Sequence, residues 1–169
     1  EFKEQYLMTP APRKEGSRMV NAFEDVKAPA SVDWAGSGYV SGVKDQGSCG
    51  SCWAFATTEC LESAHAIAGH PLIELAPQQL VSCDNADGNS GCRGGWPSAA
   101  MEYTIESGGL ASESDYPYTS GRLGITGSCK SPVPAPAGGD AKAWGYAQAP
   151  CLSGNACVED SDALASAVN

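Results

Sequence analysis

The 169-residue sequence has only two histidines, His65 and His70, and only 10 lysines and arginines against 20 aspartates and glutamates. No uncharged apolar run approaches the roughly 18–20 residues that a membrane-spanning helix needs. The formal charge of −10 disfavours nucleic acid and anionic membrane surfaces as partners. It suits solubility in an acidic lumen and equally an ordinary acidic surface. The sequence opens at Glu1 without an initiator Met, a basic n-region or an apolar h-region, so any signal peptide is expected upstream. No internal repeat is visible. In contrast, eight cysteines in a chain of this size point to an oxidising compartment.

The most informative stretch is Gln46-Gly47-Ser48-Cys49-Gly50-Ser51-Cys52-Trp53-Ala54-Phe55. A Gly/Ser-rich turn runs directly into an apolar period at Trp53, Ala56, Cys60, Ala64 and Ile67, which predicts a helix over 51–68 closed by Gly69 at C′. Cys52 then lies in the first turn, beside unsatisfied N–H groups and the positive end of the helix dipole. That setting favours a thiolate nucleophile. The dipole supplies at most ~2 kcal/mol, so strong nucleophilicity needs a second group, normally a histidine paired with the sulfur. Neither histidine present can serve. His65 is 13 residues along the same helix, and at ~1.5 Å per residue that is ~20 Å away. A base must lie within ~3 Å, or act through one water. Both histidines are expected at the surface.

A short helix is predicted to start at Ala76-Pro77-Gln78-Gln79-Leu80-Val81, with Pro77 in its first turn, and a third over about 96–106, ending at Gly108-Gly109. Residues 131–139, rich in Pro, Ala and Gly, read as an extended loop. Ala143-Trp144-Gly145-Tyr146 reads as a strand and residues 160–168 as a short helix. Pro10 and Pro12 force an extended path near the N-terminus.

The nucleophile stretch resembles that of the papain family of cysteine proteases, in its cathepsin L-like branch. Further blocks follow in the family's order: Ala30-Ser31-Val32-Asp33-Trp34, Val43-Lys44-Asp45-Gln46, Gln78 to Asp84, Gly91-Cys92-Arg93-Gly94-Gly95-Trp96-Pro97, and Glu113-Ser114-Asp115-Tyr116-Pro117-Tyr118. The resemblance is strong over residues 28–130. It implies an α+β, papain-like fold: a mostly helical left domain, nearly complete, and a β-rich right domain, truncated. Residues 1–27 would be the C-terminal part of an inhibitory propeptide, 28–139 the left domain with its nucleophile helix, and 140–169 an incomplete start of the right domain.

By that resemblance Cys52 is the nucleophile, and Gln46, six residues earlier, is the side-chain donor of the oxyanion hole. Gly50, Ser51, Gly94 and Gly95 would bind substrate, the glycine strip pairing main chain to main chain with an extended peptide. Trp96 and Pro97 would wall a specificity pocket. Cys49 would pair with Cys92 and Cys83 with Cys129, and Cys151 with Cys157 as a local bridge. Cys60 is left over, on the apolar face of the helix, as a buried thiol. The family's catalytic His lies ~130–150 residues after the nucleophile, with its orienting Asn beyond. Counted from Cys52, both would fall beyond Asn169, so the resemblance implies a C-terminally incomplete proenzyme.

The implied activity is peptide-bond hydrolysis by an endopeptidase, with no cofactor and no metal. Implied partners are protein or peptide substrates, the chain's own propeptide and cystatin-like inhibitors. The implied destinations are lysosome, vacuole or extracellular space. Other readings compete. The chain alone could be a catalytically inactive binding module carrying half a cleft. Cys49-Gly-Ser-Cys52 could be a thioredoxin-like redox pair, although no βαβ pattern surrounds it. A zinc site from Cys49, Cys52, Cys83 and Cys92 lacks a second C-x-x-C.

Overall fold

The structure, a computed structural model, describes residues 30–142 and residue 144. Three helices organise it: α1 (Cys52–Ile67), α2 (Pro77–Cys83) and α3 (Pro97–Ser107). A 3-10 turn, Ser120–Arg122, follows. Helices α2 and α3 both pack on α1. Among the described residues, β-pairing is limited to isolated bridges: Gly50 with Arg93, Leu75 with Ser112, and Leu110 with Gly138.

Each helix is bounded by local chemistry. Pro77 and Pro97 occupy first-turn positions, where a missing N–H costs nothing. At the end of α1, Gly69 adopts φ +91°, and the His70 and Gly69 N–H groups donate to the His65 and Ala66 carbonyls. At the end of α3, Gly108 adopts φ +74°, and the Gly109 and Gly108 N–H groups donate to the Thr104 and Ile105 carbonyls. Both ends are Schellman motifs, which need a residue tolerant of the left-handed region.

The side of α1 facing the core is not the one its apolar period suggests. Trp53, Ala54, Phe55, Leu61 and Ala66 are buried, but so are Thr57, Thr58 and Glu62. Ala56, Cys60, Ala64 and Ile67 are exposed. The polar core residues are tolerated because each is bonded. The Thr57 and Thr58 hydroxyls donate to the Trp53 and Phe55 carbonyls at 2.8 and 3.0 Å. Glu62, fully buried, pairs with Lys44, accepts from the Ser41 hydroxyl at 2.6 Å and accepts from the Leu75 N–H at 2.8 Å. Cys60 is therefore corrected from a buried to an exposed free thiol. The protein around its sulfur still pushes its pKa up through desolvation.

Around α1 the core is completed by Leu75, Leu80, Val81, Ala100 and Leu110. Two buried glutamines tie the loops to α2. The Gln78 side-chain oxygen accepts from the Thr119 and Ser120 N–H groups at 2.8 and 3.0 Å, and its amide nitrogen donates to the Thr126 carbonyl at 3.1 Å. Gln79 accepts from the Ala111 N–H at 2.8 Å. Two disulfides bridge Cys49 to Cys92 and Cys83 to Cys129. The 131–139 segment contains no helix, and its Gly138 carbonyl accepts from the Leu110 N–H at 2.8 Å. Trp144 is buried and its indole N–H donates to Glu102 at 2.9 Å. The expected propeptide at 1–27, the rest of the strand at 143–146, the Cys151–Cys157 bridge and the helix at 160–168 lie outside the described residues.

Candidate active site

The chain approaches α1 through a turn that is fastened at several points. The Gly47 N–H donates to the Asp45 carboxylate at 2.8 Å, and the Ser48 N–H to the Gly121 carbonyl at 2.7 Å. The Gln46 side-chain amide donates to the Cys49 carbonyl at 2.9 Å, which holds it against the turn leading to Cys52. The Gly50 N–H donates to the Cys92 carbonyl at 3.0 Å. Together with the Cys49–Cys92 disulfide, that bond locks the turn to the 91–95 strip.

Cys52 is the first residue of α1, free and exposed. Its N–H makes no hydrogen bond among the described residues, nor does that of Trp53. Ser51, at the N-cap, is fully buried and forms no side-chain cap. The helix thus presents open donors and the positive end of its dipole on the side of the thiol. Because Cys49 is bonded to Cys92, the Cys49–Cys52 pair of a redox motif does not form. Among the described residues, no group of three or more His, Cys, Asp or Glu could hold a metal ion.

Behind the nucleophile, Trp53 joins helix and strip. It is 2 % exposed, its indole N–H donates to the Gly91 carbonyl at 3.2 Å, and its ring lies under Gly95. A Cβ at Gly95 would stand 2.6 Å from the Trp53 ring and closer still to the Asn89 side-chain oxygen. Only glycine fits that approach. The Gly95 N–H and C=O make no hydrogen bond among the described residues, whereas the Gly94 carbonyl accepts from the Ser90 N–H at 2.9 Å. Asn89 also accepts from the Trp96 N–H at 2.6 Å and donates to the buried Asp84 carboxylate. Burial raises the Asp84 pKa to about 6, although the Asn89 and Ala86 hydrogen bonds pull it back. Trp96 is half-buried and Pro97 exposed, side by side at the start of α3.

The structure therefore gathers Gln46, Gly50, Ser51 and Cys52 with Gly94, Gly95, Trp96 and Pro97 around one cross-linked turn. The histidines sit elsewhere. His65, half-buried near the end of α1, stacks on the exposed His70 at 4.5 Å. Sequence reasoning assigned no role to Tyr118, Asn89 or Glu62. Each acts through partners 5 to 72 residues away, as in the Asn89–Asp84 and Tyr118–Gln46 pairs, and no local pattern marks such pairings.

A thiol exposed at the open end of a helix, backed by a glycine strip with unpaired backbone groups, is the arrangement of a cysteine-type peptidase. The model of the papain family cysteine proteases matches residues 28–156, and the chain belongs to that family. It is 55% identical over 106 residues to pro-cathepsin H of Medicago truncatula, covering 63% of this chain and 29% of that protein. Against procathepsin L of Mus musculus it is 49% identical over 105 residues, 62% of this chain and 30% of the relative. Among solved structures, a recombinant stem bromelain precursor matches with TM-score 0.65 and 35% identity, covering 82% of this chain and 42% of that one. The chain thus spans under a third of the length of these curated relatives. No helix among the described residues is long and apolar enough to cross a membrane.

Proposed function

We propose that the protein containing this chain is a papain-like cysteine endopeptidase, made as a proenzyme, that hydrolyses peptide bonds through a Cys52 acyl-enzyme. The observation that carries the reading is the free, exposed Cys52 at an uncapped helix start, cross-linked through Cys49–Cys92 to the glycine strip. The Cys52 sulfur attacks the peptide carbonyl carbon, and the carbonyl electrons move onto oxygen. The Cys52 N–H and the Gln46 amide donate to that oxyanion, the type of contact worth roughly 10²–10³ in rate for a single donor. The C–N bond then breaks, the amine leaves with a proton from a histidine, and a thioester remains. Water cleaves the thioester, restoring the thiol and releasing the acid. In this reading the base is a histidine oriented by an asparagine, and neither His65 nor His70 serves, because both lie at the far end of α1 from Cys52.

Substrate lies extended along Gly94-Gly95, where the unpaired Gly95 N–H and C=O accept a peptide strand, and Trp96 and Pro97 wall the adjoining pocket. Protein substrates and the protein's own propeptide, residues 1–27, are its partners in this reading, and cystatin-like inhibitors would fill the same cleft. Two disulfides and relatives named pro-cathepsins support a life in the secretory pathway, with lysosome, vacuole or extracellular space as destination.

The test is Cys52→Ala in the full-length protein, assayed on a fluorogenic peptide after acid activation, with a peptidyl epoxide as thiol probe. The expected result is loss of hydrolysis and of the covalent label, which mass spectrometry places on Cys52 in the parent. Hydrolysis that survives the substitution sinks the reading.

A further inference from the structure

Two features of the nucleophile turn are left without a cause by the disulfide and the helix alone. The first is that buried Ser51, of a residue type that normally caps a helix, does not cap α1. The second is that the Gln46 backbone, whose side chain is proposed to face the oxyanion, lies in the turn ahead of α1, outside any helix or strand. Both lead to the same atom. The Tyr118 hydroxyl lies 2.7 Å from the Ser51 hydroxyl and donates to the Gln46 carbonyl at 2.8 Å. A phenol has one proton, so with that proton on Gln46 the Ser51 hydroxyl is the donor to Tyr118.

We propose that Tyr118 is a positioning residue for the nucleophile turn, pinning the oxyanion loop at Gln46 and diverting the Ser51 hydroxyl away from the first turn of α1. The inference rests on the proposed peptidase reading. Tyr118 is itself held from two sides. Its N–H donates to Glu113 at 2.7 Å, and its ring meets Phe55 edge-on at 4.8 Å. An N-cap serine oxygen ordinarily accepts from the second or third N–H of the helix, here Trp53 or Ala54. The Ala54 N–H already donates to the Ser51 carbonyl at 2.9 Å, while the Trp53 N–H stays open. Held towards Tyr118, the serine oxygen keeps its lone pairs but stands where it makes no bond to the Trp53 N–H, so that donor stays open beside Cys52.

Removing the phenol oxygen with Tyr118→Phe keeps the ring and its contact with Phe55. In the full-length enzyme kcat is expected to fall roughly tenfold with KM within about twofold, the size of one lost hydrogen bond expressed in the transition state. The pH profile of Cys52 alkylation is expected to shift to higher pH, because the freed Ser51 hydroxyl turns to cap α1. Ser51→Ala, which has no oxygen to turn, reads the same contact from its other end: in that background Tyr118→Phe is expected to leave the alkylation profile where it was. A Tyr118→Phe enzyme with unchanged kcat and alkylation profile overturns the proposal, even if its melting temperature falls, since a purely structural tyrosine would move only the latter. An alkylation shift of the same size with and without Ser51 also overturns it. If Cys52→Ala abolishes hydrolysis while Tyr118→Phe changes nothing, the peptidase reading stands and this inference alone fails.

Discussion

Gly95 shows how one missing carbon can serve two purposes. Its lack of a side chain lets the Trp53 ring come under the strip, and its unpaired N–H and C=O face a prospective peptide. Gly95→Ala places a Cβ within 2.6 Å of that ring, so either the strip or the tryptophan must move. The expected cost is about 1–3 kcal/mol of stability, as for other overpacked sites. Denaturant titration checks that figure. A rise in KM for peptide substrates, larger than any change in kcat, would mark the loss of main-chain pairing. At this scale Cys52, Gln46 and the glycines were readable because the two short blocks that hold them, 46–55 and 91–97, resemble those of the papain family. Tyr118 was not, because its Ser51 partner is 67 residues away.

At the scale of elements, α1 was legible in its length and ends but not in its orientation. The period of Trp53, Ala56, Cys60, Ala64 and Ile67 reads as a core stripe, yet only Trp53 of these is buried, and the core takes Thr57, Thr58 and Glu62 beside Phe55, Leu61 and Ala66. Hydrophobic periodicity fails where buried polar groups are fully bonded, and bonding partners such as Lys44 cannot be read from the helix itself. The Lys44–Glu62 pair also fastens the segment leading to Gln46 onto the middle of α1. Lys44→Met should leave Glu62 charged, buried and unpaired, at a cost of roughly 3–5 kcal/mol. Adding Glu62→Gln removes the stranded charge and keeps an acceptor for the Leu75 N–H, so part of the loss should return. Urea melts of the single and double variants measure both. A single variant as stable as the parent would show that the pair is not holding the segment.

Across the whole molecule, acidity and burial act together. The net charge of −10 is shed as pH falls, which relieves self-repulsion. Asp84 adds a specific term. Its folded pKa is raised, mainly by burial, to about 6 from an ordinary value of 3.8. The folded state therefore holds the proton more tightly than the unfolded chain. The resulting stability is fully present below the ordinary carboxylate range and is lost as pH rises through about 6. A shift of about two units corresponds to about 3 kcal/mol. Burial pushes Glu113 in the same direction, against the pull of its Tyr118 N–H bond and of Lys44. Asp140, exposed and held down by Lys142, acts oppositely, in a setting where solvent screens the effect. Melting curves from acid to neutral pH should show the parent losing stability across this window, with Asp84→Asn flattening the slope. An unchanged slope in that variant would remove Asp84 from the account. The papain-like class was legible from ordered blocks spread along the chain. The buried polar ties among those blocks were not, since they depend on distances that only the folded chain defines.

The cross-link beside the nucleophile also sorts the sulfurs by reach. A thiol peptidase in an oxidising compartment must keep one sulfur reduced while others stay joined. Here Cys52, free like Cys60 further along α1, is open to solvent, while Cys49 and Cys92 are 1% and 9% exposed. Exchange chemistry needs an approaching thiolate, so small reductants and oxidants meet Cys52 well before they meet the bridge that shapes its turn. Cys129, at the end of the second bridge, is exposed and lacks that shelter. Access alone thus separates the open thiol from the cross-link that holds the turn beneath it.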